Sequence, residues 1–165
     1  MTILEFVQKV LIDEFKEIQR DESHRHLSFG LIYQGIEFLG ACLDSDPFSA
    51  KGLSAPRFRR AIYDLFPVSY HPFNQGTGKP FDLYEIFRCG LVHVILPGSR
   101  LELIGRPEKA QLHVEHLEIK EIRGLDRLVL VLEDLFDDYE KACVEIISRI
   151  RDGRLSTWKF TGNDF

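Results

Sequence analysis

The sequence predicts an α+β protein that is mainly helical, folded as a single domain over residues 1–165. About five helices are expected to form a bundle, with a small antiparallel β-sheet inserted before the last helix. Apolar residues recur at helical spacing through most of the chain, but between about residues 100 and 132 the pattern changes to short strand-like runs. A hydrophobic content of 44% over 165 residues suffices for one core without disulfides or metal ions.

The first two predicted helices lie on either side of the polar connection DESHRHLS. The first helix covers residues 2–21, with Thr2 as its N-cap and an apolar stripe on one face. Ser28 is the expected N-cap of the second helix. Three glycines weaken that helix by about 1 kcal/mol each relative to alanine, so a neighbouring helix is expected to approach it closely; they are Gly30, Gly35 and Gly40.

The third and fourth helices are separated by a loop rich in proline and glycine. In SAPRFRRAIYDLFP, Ser54 is the expected N-cap, Pro56 occupies the first turn and Pro67 follows the end of the helix. Residues 68–80 are predicted to form the loop. The fourth helix is expected to run over about residues 81–96.

Strand character marks the insert at about residues 100–132. LELI, QLHVEHLEI and RLVLVL are the predicted strands, and GRPEKA and RGLD are the predicted turns between them. A final helix follows, opened by acidic residues and ended by Gly153. The remaining tail, RLSTWKFTGNDF, is expected to dock through Trp158 and Phe160.

Charge and cysteine content restrict the function classes. A formal net charge of −5 argues against a broad nucleic-acid-binding surface, although a local basic patch remains compatible with it. The three cysteines lie in apolar segments and are expected to be reduced, which favours the cytoplasm. The start of the chain has no pattern of a secretory signal, and no apolar run approaches the roughly 20 residues that span a bilayer, so no membrane association is predicted.

The segment LYEIFRCGLVHVILP, residues 83–97, places Arg88 and His93 in an otherwise apolar run. Because burying an unpaired cation costs several kcal/mol, these side chains need partners, solvent or a chemical role. Spacing alone is weak evidence, since Arg20 and His26 match a similar pattern in the polar connection. The apolar surroundings of Arg88 and His93 are what single them out.

RCGLVH resembles the R-x4-6-H motif of the HEPN superfamily, and the preceding LYEIF is similar to the helical frame of that motif. The resemblance covers the helical part of the chain and leaves the strand-bearing insert outside. It implies a metal-independent endoribonuclease or RNA-binding protein that acts as a homodimer, of the kind found in bacterial defence and toxin–antitoxin systems. Arg88 and His93 would be its catalytic residues, and no cofactor or metal ion is expected.

These two side chains suit RNA cleavage by attack of a 2′-hydroxyl on the adjacent phosphate. Histidine can transfer the proton near neutral pH, and arginine offers a permanently charged planar group to the phosphate oxygens. On one continuous helix the two side chains would lie roughly 140° apart. Either an irregularity at Gly90 brings them together, or two subunits supply four groups to one groove.

Arg57 and Arg60 belong to the densest basic cluster and are the predicted nucleic-acid-binding residues. The alternative for this helix face is an ordinary surface pair between Arg60 and Asp64. At the level of the whole chain, the alternative is a non-catalytic HEPN-like module that binds a nucleotide or a partner protein. A third possibility is a structural dimer in which Arg88 pairs with Glu85.

Overall fold

The computed structural model describes residues 1–76, 78–87 and 100–155. Within them the protein is mostly helical, with a three-stranded sheet before the last helix, as predicted. The α-helices are α1 (Ile3–Phe6), α2 (Phe15–Gln19), α3 (Arg25–Leu43), α4 (Ser54–Leu65), α5 (Leu83–Phe87), α6 (Arg106–Leu112) and α7 (Leu132–Arg151). The strands are β1 (Leu101–Ile104), β2 (Ile119–Ile122) and β3 (Leu125–Val131).

The first helical segment is continuous from α1 to α2, but its middle is a π-helix, Val7–Glu14. Thr2 is the N-cap, as predicted. Its hydroxyl accepts a hydrogen bond from the Glu5 N–H at 3.2 Å, and the Glu5 carboxylate accepts one from the Thr2 N–H at 2.8 Å. The wider π turn lets both Leu11 and Ile12 face the core behind Val7.

Helix α3 begins earlier than predicted. A 3-10 turn, Glu22–His24, precedes it and is capped by Asp21, whose carboxylate accepts the Ser23 N–H at 2.9 Å. Ser28 lies inside α3, where its hydroxyl donates to the His24 carbonyl oxygen at 3.1 Å. The prediction of Ser28 as N-cap is therefore wrong, because an earlier side chain already starts the helical chain.

Two of the three glycines in α3 lie where a neighbouring helix comes close. A Cβ atom on Gly40 would lie 1.9 Å from the Arg57 carbonyl oxygen of α4, and one on Gly35 would lie 2.1 Å from the Tyr139 hydroxyl of α7. A Cβ on Gly30 would meet nothing within 4 Å. The expected close approach is thus confirmed for Gly35 and Gly40 but not for Gly30.

Helices α4 and α5 follow the predicted pattern with shifted boundaries. Ser54 is the first residue of α4 rather than its cap, and Pro67 lies beyond the end, as expected. The predicted loop contains a 3-10 helix, Val68–Phe73. Helix α5 is described over Leu83–Phe87, and the rest of the predicted fourth helix lies outside the described residues.

The sheet is mixed, so the prediction of an antiparallel sheet is wrong for one of its two pairings. The strand order is β1-β3-β2, with β1 parallel to β3 and β2 antiparallel to it. The reason lies in GRPEKA, which starts α6 instead of a turn, and Glu108 supports this helix start by accepting the Gly105 N–H at 3.0 Å. A parallel pair requires a crossover connection, which the chain containing α6 provides.

Helix α7 completes the core against α3 and the π-helical segment, and Gly153 at φ +67° follows its end. Cys42 and Cys143 are buried free thiols, and burial raises the pKa of Cys143 to about 12. Cys89, Trp158 and Phe160 lie outside the described residues. In the described part of the chain, no helix has both the length and the apolar character of a membrane span.

Candidate functional site

The predicted catalytic residues Arg88 and His93, and with them the Glu85–Arg88 alternative, fall in the stretch 88–99, which lies outside the described residues. The chain on either side of that stretch is described. It consists of α5 on the N-terminal side and of Arg100 with β1 on the C-terminal side.

Asp82 anchors the N-terminal flank. This carboxylate is fully buried and accepts two hydrogen bonds from the Arg59 guanidinium of α4, at 2.5 and 2.8 Å. It also accepts the backbone N–H groups of Gly76 at 2.9 Å and Glu85 at 3.1 Å, so it caps the start of α5. Burial alone raises the pKa of Asp82, but the hydrogen bonds from Arg59 and the two backbone groups outweigh it and the pKa lies below its usual value.

Aromatic packing fixes α5 against α3 and α4. The ring centroids of Tyr33 and Phe87 lie 5.4 Å apart, and those of Phe58 and Tyr84 lie 5.7 Å apart. Arg59 also places its guanidinium 5.5 Å from the Tyr84 ring centroid. Phe87 is 1% exposed and directly precedes Arg88, so the chain is held in the core up to the residue before the motif.

The C-terminal flank returns beside the start of the N-terminal one. Arg100 lies with its guanidinium carbon 6.0 Å from the ring centroid of Phe81, just before α5. Its carbonyl oxygen accepts the Leu128 N–H of β3 at 2.8 Å, and the next residue, Leu101, is buried in β1. The stretch with Arg88 and His93 is consequently attached at both ends to ordered core elements.

The two predicted nucleic-acid-binding arginines have different environments. Arg57 is 5% exposed, and its guanidinium donates to Asp44 Oδ2 at 2.6 Å and to two backbone carbonyl oxygens in the turn after α3. This arrangement gives Arg57 a structural role between α3 and α4. Arg60 is about half exposed and lies 3.4 Å from Asp64 on the same helix, a surface pair worth up to about 1 kcal/mol. Of the two, Arg60 is the one with a charge at the surface.

A hydrogen-bonded cluster that the sequence did not indicate joins three distant segments. The Val131 N–H donates to His116 Nδ1 at 3.0 Å, and His116 Nε2 lies 2.8 Å from the Tyr70 hydroxyl. Tyr70 in turn donates to Asp138 Oδ2 at 3.1 Å. Because Nδ1 accepts a bond, the neutral imidazole carries its proton on Nε2 and donates it to Tyr70. Each of the three donors in this hydrogen-bonded cluster therefore has an acceptor.

The pattern QLHVEHLEI predicts one strand that contains both His113 and His116. Instead, His113 ends α6 in the left-handed conformation at φ +52°, and His116 lies in the connection to β2. The strand-like pattern of QLHVEHLEI does not indicate that α6 ends within it and that β2 begins only at Ile119. No local signal links His116 to Tyr70, which is 46 positions away in the sequence.

Protonation of His116 is expected to destabilise the fold. Burial lowers its pKa from 6.5 to about 4, against the opposing effect of the Asp134 and Asp138 carboxylates and with a small additional lowering from Lys109. The unfolded chain therefore binds more protons than the folded chain between these two pH values. This contribution to stability is complete above about pH 6.5 and is lost as the pH falls towards 4.

Urea unfolding at pH 7 and pH 5 tests this expectation. We expect His116 to account for about 2 kcal/mol of the loss in unfolding free energy between these pH values. His116→Gln should remove that part of the loss, since glutamine does not titrate. An identical pH dependence in the wild type and the variant would contradict the assignment.

The acidic residues at the start of α7 are engaged in ion pairs. Asp134 accepts hydrogen bonds from Arg106 at 2.8 Å and from Lys109 at 3.1 Å, and Asp137 accepts one from Arg106 at 2.6 Å. Within residues 1–76, 78–87 and 100–155, no group of three or more His, Cys, Asp or Glu side chains is arranged to hold a metal ion. These carboxylates tie α7 to α6.

Comparisons of the chain with family models, with curated proteins and with solved structures gave no match.

Proposed function

We propose that this protein is a HEPN-like, metal-independent endoribonuclease that acts as a homodimer, with Arg88 and His93 as its catalytic pair. The motif RCGLVH and its apolar surroundings are the sequence basis of the proposal. A mainly helical fold with the strand-bearing segment before the last helix is compatible with it.

The observation that carries the proposal is the anchoring of the chain around the motif. Asp82 and Phe87 are buried on one side, and Arg100 is bonded to β3 on the other. Catalysis by proton transfer and phosphate stabilisation requires side chains whose backbone is held in place. The buried residues before Arg88 and the contact with β3 after the motif support the assignment of a site to this stretch.

In the proposed reaction, His93 removes the proton from a 2′-hydroxyl and Arg88 binds the phosphate oxygens as negative charge develops. The oxygen attacks the adjacent phosphorus, the bond to the 5′-oxygen breaks, and the leaving oxygen takes up a proton. Arg60 is proposed as a phosphate contact outside the reacting centre. The buried thiols Cys42 and Cys143 suit a reducing compartment, so we place the activity in the cytoplasm.

Incubation of the full chain with a labelled single-stranded RNA in EDTA tests the proposal. Cleavage fragments are expected, together with a dimer in sedimentation velocity. A rise in melting temperature with intact RNA would instead support the non-catalytic binding module and contradict the ribonuclease. If neither cleavage nor a rise in melting temperature is observed, RNA is not the ligand and the proposal is overturned.

A further inference from the structure

A largely apolar groove lies between the π-helical segment and α3. It encloses about 520 Å³ and is lined mainly by half-buried apolar side chains, among them Phe6, Val10, Leu31, Phe38 and Phe48. The rings of three of these side chains are adjacent: the ring centroid of Phe38 lies 5.1 Å from that of Phe6 and 5.3 Å from that of Phe48. A cavity of this size and composition suits one or two aromatic side chains.

The described part of the chain ends at Leu155, beside the C-terminal end of α3, the helix that forms one wall of the groove. Leu155 packs against the core and lines a depression together with Cys42, Leu43 and Asp44 at the end of α3. Asp44 is bonded to Arg57, which also lines the groove. The turn after α3 thus connects the position of Leu155 with the groove.

We propose that the groove is the docking site of the chain's own C-terminal residues, 156–165, with Trp158 and Phe160 as the anchors. Trp158 and Phe160 follow Leu155 by three and five residues, so an extended chain can carry them up to about 10 and 17 Å from it, whereas Phe38 lies only about 6 Å along α3 from Cys42. Side chains two positions apart in an extended chain lie on the same side, so both rings can enter the groove together.

This inference does not depend on the proposed ribonuclease activity, since it uses none of its residues. It assigns the last ten residues a structural role, which is to pack in the groove between the first helical segment and α3. This packing would also explain why aromatic rings line the groove from α1, from α3 and from the turn that follows α3.

Trp158 is the single tryptophan of the chain, so its fluorescence reports on the tail alone. In iodide quenching of the full chain, we expect a quenching constant several-fold below that of N-acetyltryptophanamide. Leu31→Glu puts a charge into the groove and should restore quenching and shift the emission to the red. Val144→Glu makes the same change at a 53% exposed position of α7 and should leave both unchanged.

Far-UV circular dichroism establishes that each variant is folded, and Val10→Ser on the opposite wall replaces Leu31→Glu if that variant is not. Three results would overturn the proposal. Trp158 could be quenched as readily as the free compound, which would mean that no site holds it. If Trp158 stays protected from iodide in both groove variants, the tail docks at a different site. If the protection of Trp158 is lost on dilution, the groove binds the tail of a second copy.

Discussion

Replacement of Arg88 with alanine is expected to reduce the rate of RNA cleavage in EDTA by at least about 100-fold. Removing a charged donor that stabilises the developing charge on a reacting oxygen typically costs this much, because the substituted site offers only water in its place. His93→Ala should cause a loss of about 100-fold or more by removing the proton acceptor. Single-turnover cleavage of a labelled RNA, with enzyme in excess, measures both effects on the chemical step.

The melting temperature separates catalysis from folding in this experiment. A catalytic Arg88 leaves the melting temperature nearly unchanged on substitution, whereas an arginine that pairs with Glu85 contributes to stability. Glu85→Ala is therefore the matched control. If Glu85→Ala and Arg88→Ala lower the melting temperature equally and both retain cleavage, the pair is structural and the proposed catalytic function of Arg88 is wrong.

Substitution of Gly40 with alanine should destabilise the protein by about 3 kcal/mol. The new Cβ would lie 1.9 Å from the Arg57 carbonyl oxygen and 2.4 Å from its carbonyl carbon, and both are backbone atoms. No side-chain rotation relieves such a contact, so α3 and α4 must move apart. Urea unfolding at neutral pH gives the change in unfolding free energy.

Gly30→Ala is the control for this prediction because it makes the same change in the same helix. A Cβ there meets nothing within 4 Å, so alanine should stabilise the protein by about 0.5–1 kcal/mol through its higher helix propensity. The changes in unfolding free energy of Gly40→Ala and Gly30→Ala are therefore expected to have opposite signs. Equal effects would show that α3 and α4 do not approach each other at Gly40 as closely as described.

Local signals predicted the helical part of the fold well. Thr2 caps the first helix, Pro67 lies beyond α4 and Gly153 follows α7, because each acts on the backbone within a few residues of its own position. Ser28 misled the prediction because serine also occurs inside helices, where its hydroxyl bonds to the preceding turn. Choosing between Asp21 and Ser28 requires knowing which residue starts the helical chain.

Contacts between residues far apart in the sequence could not be predicted from local sequence patterns. The parallel pairing of β1 and β3 depends on α6, and GRPEKA carries both turn and helix-start character. The basic cluster predicts Arg57 to be a nucleic-acid-binding residue, because the bonds that bury its guanidinium at the turn after α3 are formed only in the folded chain. His116 and Tyr70 show the same limit, since their contact joins segments that share no local pattern.

The most direct test of the central claim, that Arg88 and His93 activate a 2′-hydroxyl on RNA, is a comparison of two oligonucleotides of identical sequence in EDTA. One has ribose throughout and the other has 2′-deoxyribose throughout. We predict that the ribose strand is cut to fragments ending in a 2′,3′-cyclic phosphate while the deoxyribose strand stays intact. Cleavage of both strands at similar rates, or of neither, would contradict the claim.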